Sequence, residues 1–186
     1  MIVKGKKRGR PSGKSSELSA QVILDKAKSL MRNEKKVPSI RSLASSLNVD
    51  AMAIYHYFNN KDALLESITT SLIESIYQPQ VNDDWKKALT ELCTSYLILL
   101  DSYPGLLNTL LSMEGTGPAQ VFVERFNILI KALNLSKEAQ DNALNLLVDY
   151  LHGFALALNC QGDELLLHVD QLTGPLNFYC AALERN

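Results

Sequence analysis

The sequence is short of the features that would mark an exported, membrane-spanning or metal-holding protein. Its 186 residues include only three cysteines, Cys93, Cys160 and Cys180. Their number is odd, their spacing is wide and no Cys-x-x-Cys pair occurs, which excludes a disulfide framework and a cysteine-rich zinc site. Uninterrupted apolar runs are short, Tyr96 to Leu100 among them, whereas a membrane helix needs roughly 20 residues. Basic residues near the N-terminus are not followed by an apolar stretch, so no export signal is expected. These absences point to a cytoplasmic protein with no membrane partner. Nine glycines and six prolines are too few for a collagen-like or linker-dominated chain, while 46% hydrophobic residues suffice for a core.

Net charge is also nearly absent, at −1, but its distribution is uneven. Up to Leu65 there are 13 basic and 5 acidic side chains, a charge of +8; beyond it there are 6 basic and 15 acidic, a charge of −9. Such asymmetry suggests that one end faces a polyanion. Residues 1–18 hold Lys4, Lys6, Lys7, Arg8, Arg10 and Lys14 among glycine, serine and proline. That composition cannot bury a core and reads as a flexible basic arm.

Helical spacing begins after the arm. Ser19 is a suitable N-cap for a first helix carrying Ile23, Ala27, Leu30 and Met31 on one face. Pro38 ends the interruption that follows, and Ser39 caps a second helix with Ile40, Leu43, Ala44 and Leu47 on its apolar stripe. Asn48 suits a left-handed turn. A third helix over about residues 50–58 turns Ile54 and Phe58 inward and Met52, Ala53, Tyr55 and His56 outward. Two short helices joined by a tight turn, the second exposing a compact set of side chains, form a helix-turn-helix whose second helix enters the DNA major groove. Alanine and methionine can meet thymine methyls, His56 can bond a base edge or phosphate, and tyrosine hydroxyls can donate to phosphates. Ser39 and Arg41 join the DNA-contacting set at the start of the second helix. Lys61 adds its ammonium to the positive end of the next helix.

The run from Ser39 to Leu65, and above all Tyr55-His56-Tyr57-Phe58-Asn59-Asn60-Lys61-Asp62-Ala63-Leu64-Leu65, resembles the DNA-binding domain of the tetracycline-repressor family. The resemblance implies phosphate contacts from Tyr57 and Lys61. It also implies that Ala51, Met52, Ala53, Tyr55 and His56 face a double-stranded DNA operator. The arm, with Lys6, Lys7, Arg8 and Arg10, resembles those that reach into the adjacent minor groove. Two departures stand out: Asn48 replaces the usual turn glycine, and polar base-reading residues are sparse at Ala51 and Ala53.

The acidic remainder shows no sustained strand alternation, so the fold is expected to be all-α: a basic arm at 1–18, a three-helix DNA-binding domain at 19–65 and a helical bundle at 66–186. Leu65, Ile68, Leu72 and Ile76 continue a fourth helix toward Pro79. Trp85 to Tyr103 forms a fifth, Leu106 to Leu111 a short sixth and Phe122 to Leu133 a seventh. Ser136 caps a long helix with two apolar faces, Ala143, Leu146, Tyr150 and Phe154 on one and Leu144, Leu147, Leu151 and Leu158 on the other. Leu172, Leu176, Tyr179 and Leu183 mark a last helix. The resemblance implies that the last two helices build a homodimer interface, which agrees with two recognition helices reading successive major grooves of a palindrome.

No set of residues converges for catalysis. His152 and His168 lie sixteen apart without metal-binding spacing, and Gly115-Thr116-Gly117-Pro118 follows no strand, so neither enzyme activity, a metal nor a cofactor is expected. Cys93 and Cys160 lie on apolar faces and are expected to be buried and inert. A cavity in the bundle is more plausible, with Trp85, Tyr96, Tyr103, Met113, Phe122, Phe126, Tyr150, His152 and Phe154 as candidate lining. They imply a mostly apolar small-molecule effector with one or two polar handles. The leading expectation is a homodimeric repressor released from its operator by that effector. The alternative is a helical interaction module whose basic end binds polyanions without sequence preference and without an inducer.

Overall fold

A computed structural model describes residues 18–80, 83–113, 117–160 and 167–185. Among these residues the fold is all-α. In order the helices are α1 (Ala20–Glu34), α2 (Ile40–Leu47), α3 (Ala51–Tyr55), α4 (Lys61–Ile73), α5 (Trp85–Ser102), α6 (Leu106–Ser112), α7 (Gly117–Ile130), α8 (Lys137–Cys160) and α9 (Thr173–Leu183), with 3₁₀ turns at Lys131–Leu133 and Val169–Leu172.

Polar side chains set most of the helix starts by accepting from otherwise unpaired N–H groups. Ser19 Oγ accepts from Val22 and Ser39 Oγ from Ser42. Asp50 accepts from Met52, Asn60 from Ala63 and Ser136 from Ala139. At the α2–α3 turn Asn48 is left-handed (φ 60°, ψ 38°), as its short polar side chain tolerates.

One buried cluster runs through the molecule, from Ile23, Leu43 and Ile54 in the head, along Leu64, Ile68 and Leu72 of α4, to Leu89, Leu97, Phe126 and Leu151 in the body. α4 packs against α1 on one side and against α5, α6 and α7 on the other, so it is shared by head and body. Further ties cross the junction: Lys28 Nζ donates to Ser71 Oγ at 2.6 Å, and the Arg32 guanidinium lies 5.8 Å from the centre of the Tyr103 ring.

Three features differ from the sequence reading. The fourth helix ends at Ile73 rather than continuing toward Pro79. Its last turn tightens through bonds from Ser75 N to Leu72 O and from Ile76 N to Ile73 O. Arg125 of α7 then takes the freed carbonyls, with Nη1 donating to Ile76 O at 2.6 Å and to Tyr77 O at 3.4 Å, and Nη2 donating to Glu74 O at 2.9 Å. The third helix is also shorter than expected, ending at Tyr55, with Phe58 N bonded back to Ile54 O. Finally, Cys93 is buried but Cys160, at the last turn of α8, is exposed.

α8 is the one helix among the described residues long and apolar enough, by length and composition, to cross a membrane. It packs against α5 and α7, yet only 28% of its most apolar stretch is buried.

Candidate nucleic-acid interface and ligand cavity

α3 is fixed from below by Ile54 and Phe58, both buried, and carries an exposed upper face. Met52 is 64% exposed, Tyr55 and His56 are exposed beside it, and Ala51 and Ala53 are half-buried. Arg41 and Lys61 are exposed and flank this face from the starts of α2 and α4. Ser39 is exposed as well, its hydroxyl engaged in the cap of α2. Tyr57 is exposed, and its hydroxyl donates to Leu18 O at 2.5 Å, tying the end of the recognition segment to the residue before the α1 cap. A hydroxyl oxygen engaged in this way keeps lone pairs for other donors but has committed its own proton. The arm residues Lys6, Lys7, Arg8 and Arg10 lie outside the described residues.

The nine candidate cavity residues do not form one group. Tyr96 of α5, Phe122 of α7 and His152 of α8 are brought together around a cavity of about 250 Å³. Tyr96 and Phe122 rings lie 5.0 Å apart, and the Tyr96 hydroxyl is hydrogen-bonded to His152 Nε2 at 2.8 Å. Burial pushes the Tyr96 phenol up and the His152 imidazole down, while the charge of Asp149 works against the latter shift. Both groups are therefore neutral near pH 7, and their hydrogen bond is one between neutral partners.

The other six lie elsewhere. Trp85, half-buried at the start of α5, stands beside Lys86, and Tyr103 faces Arg32 at the head–body junction. Phe126 is fully buried in the core. Met113 is half-buried just after α6. Phe154 is buried with its ring 6.0 Å from that of Tyr150. Tyr150 itself lines a second hollow, of about 220 Å³, between α8 and α9.

Several cavity residues escaped the sequence reading. Ile73 at the end of α4, Leu110 and Leu111 of α6 and Pro118, Ala119 and Val123 of α7 form its apolar walls. Leu144 and Val148 of α8 add to them, while Asn145 and Asp149 join His152 as its polar groups on that helix. The spacing of Asn145, Asp149 and His152, at i, i+4 and i+7, puts a polar stripe on one face of an otherwise apolar helix. That stripe was the available signal. The two apolar faces expected on α8 are also arranged differently: Leu146, Leu147 and Tyr150 face α9, Leu144 faces the cavity, and Leu151 is buried between.

The arrangement links three parts in series. The cavity touches the end of α4 directly through Ile73, and through α7 it adjoins the Arg125 clamp on the carbonyls beyond α4. α4 begins with Lys61 at the recognition face.

Comparison with known proteins agrees with this architecture. Residues 38–68 match the family model for bacterial regulatory proteins of the tetR family, and residues 78–165 match that for the tetracyclin repressor-like C-terminal domain, together more than half of the chain. No match is found among curated protein sequences. Among solved structures, apo ActR from Streptomyces coelicolor superposes with a TM-score of 0.77 at 18% identity, covering 91% of this chain and 96% of that one. ActR in complex with (S)-DNPA gives 0.74 at 19% identity, covering 91% and 98%. BioQ with its double-stranded DNA operator gives 0.73 at 19% identity, covering 91% and 100%; BioQ has also been solved from Mycobacterium smegmatis. The chain belongs to the tetR family of bacterial regulatory proteins, as a helix-turn-helix, DNA-binding transcription regulator.

Proposed function

We propose that the protein is a cytoplasmic, homodimeric, ligand-responsive repressor that binds a palindromic operator and releases it when a mostly apolar small molecule occupies the bundle cavity. The observation that carries this reading is the series just described: an exposed recognition face on α3, a helix shared by head and body, and a cavity whose wall includes the end of that helix. A ligand that fits the cavity better in one head orientation than in another must shift DNA affinity by the same free energy.

Contacts to DNA are assigned to Ser39, Arg41, Ala51, Met52, Ala53, Tyr55, His56 and Lys61, and to Tyr57 once its hydroxyl exchanges the Leu18 carbonyl for a phosphate oxygen. The exposed apolar face of α8 and α9, where Leu146 is 64% and Phe178 80% exposed, supports the homodimer, since a second copy would cover it. A two-fold pair of heads would present recognition helices about 34 Å apart. Ligand and operator complexes of ActR and BioQ support the same two partner classes here.

The test is a gel shift on DNA flanking the protein's own gene, at near-physiological salt with random competitor. A competitor-resistant complex with two subunits per site is expected. Loss of all binding to competitor would overturn the reading. Lys61→Ala should weaken binding to every sequence and lower the slope of log affinity against log salt by about one. Replacing Tyr55 or His56 should instead alter sequence preference more than non-specific affinity; equal losses on random DNA would remove them from base reading.

A further inference from the structure

The cavity carries a chemical preference that its size and apolar walls alone do not specify. Its polar groups are confined to one side, Tyr96 on α5 and Asn145, Asp149 and His152 on α8. Among the described lining residues Asp149 is the one that is charged, and none of them is a lysine or arginine. Its carboxylate makes no ion pair or hydrogen bond among the described residues, although four other carboxylates are paired with lysines. An ionised carboxylate only accepts hydrogen bonds, an asparagine amide both accepts and donates, and the oxygen of Tyr96 retains an acceptor site beside His152, so the charge of Asp149 sets the preference.

The geometry points to a ligand that brings donors and positive charge: a compact amphiphile with a protonated nitrogen at one end and an apolar, ring-sized body at the other. This inference rests on the reading of the cavity as the effector site and names the ligand's chemistry. The apolar body lies against Phe122, Val123, Leu110 and Leu144, and the ammonium faces Asp149. A carboxylate-bearing ligand of the same shape would meet like charge with no cation among the described lining residues to offset it. At about 250 Å³ the cavity lies just below the usual 300–1,000 Å³ of ligand pockets, which favours one or two rings over an extended chain. Asp149 is exposed at the rim, so its attraction is screened and the expected discrimination is moderate.

The experiment uses three probes that share one body and differ at the head: 1-naphthylmethylamine, 1-naphthalenemethanol and 1-naphthoate. Their binding to the full-length protein is measured by calorimetry at pH 7, alongside Asp149→Asn and a cavity-filling Val123→Phe. The amine is expected to bind roughly tenfold tighter than the acid, with the alcohol between them. Asp149→Asn should weaken the amine by roughly threefold to fivefold and leave the alcohol unchanged. Val123→Phe should remove all three while the circular dichroism spectrum and melting temperature persist.

Equal or tighter binding of the acid, or an amine affinity unchanged in Asp149→Asn, would overturn the cationic class while leaving a ligand cavity in place. Binding of all three that survives Val123→Phe would place them elsewhere and overturn the assignment. Failure of all three probes to bind would overturn the cavity reading, and this inference with it. The amine's effect on DNA affinity is read separately. A bound amine, dependent on Asp149, that leaves DNA affinity unchanged would support the ligand class and overturn induction through it.

Discussion

α8 separates two hollows of similar size that differ in chemistry. On one face, Leu144, Val148 and the polar stripe of Asn145, Asp149 and His152 look into the α5–α7 cavity. On the opposite face, Leu146, Leu147 and Tyr150 meet Pro175, Leu176 and Phe178 of α9 across a groove. The groove's Tyr179 hydroxyl is already used, donating to Ala143 O at 2.8 Å. A hollow with unspent hydrogen-bonding groups on one wall can select a small molecule by orientation. One whose walls are almost wholly apolar can select only by shape and area, which suits a repeated protein surface. Volume does not distinguish the two; the placement of a few polar atoms does.

The largest expected effect comes from breaking the groove side. Leu146→Glu combined with Phe178→Glu places charge on a surface that a second copy would cover. Both side chains are exposed, so the subunit's own stability should change by no more than roughly 0.5 kcal/mol each. Sedimentation should show the dimer replaced by monomer, and operator affinity should fall by roughly a hundredfold as paired binding is lost. A dimer that persists in the double variant would make this face solvent surface and collapse the contrast with the cavity.

The cavity side is tested next through Arg125, which carries no ligand contact but ties α7 to the carbonyls that follow α4. Burial lowers its pKa only in part, and the guanidinium remains charged. Arg125→Ala should cost about 1.5 kcal/mol, the low end for charged hydrogen bonds, and lower the melting temperature by roughly 3–6 °C. Its more telling consequence is a smaller ratio of DNA affinities without and with ligand, measured by titration, since α7 would no longer hold the end of α4. A ratio equal to the wild type would show that coupling runs through Ile73 or α6 instead.

The head and the body also differed in how far the sequence exposed them. In the head, each short helix has one stripe, one cap and one turn residue, so Ser19, Ser39, Asn48, Ile54 and Phe58 could be placed from spacing alone. The body offered helices but not their pairing. Tyr96, Phe126 and Phe154 share the same amphipathic signature, and only packing between distant segments decides which of them faces space. Aromatic character therefore overcalled the cavity, while Asp149 and Asn145 were not singled out, because the wall opposite α8 is built by distant segments that include α6 and α7. The end of α4 was illegible for a similar reason: Arg125, 49 residues beyond Ile76, completes it. Long-range polar capture leaves no local periodicity.

The smallest effect is the finest test of the difference between the two hollows. The groove's titratable residues are the tyrosines Tyr150 and Tyr179, whose pKa values burial raises above the ordinary phenol value, so a response near neutral pH must come from outside it. In the cavity, burial lowers the His152 pKa below its ordinary value near 6.5, with Asp149 opposing in part. Above that value His152 is neutral whether the chain is folded or not, and it adds no pH dependence. As pH falls below it, the unfolded chain binds the proton more readily than the folded one, so stability declines until the folded pKa is passed. His152→Gln keeps an amide able to meet the Tyr96 hydroxyl and removes the titration. Urea midpoints should therefore fall less steeply between pH 6.5 and 5 in His152→Gln than in the wild type. Tyr96→Phe, which leaves His152 without that partner, should cost about 1 kcal/mol at pH 7. Parallel slopes in wild type and His152→Gln would mean that water reaches His152 freely. The polar wall would then be ordinary surface, with no advantage over the groove in orienting a ligand.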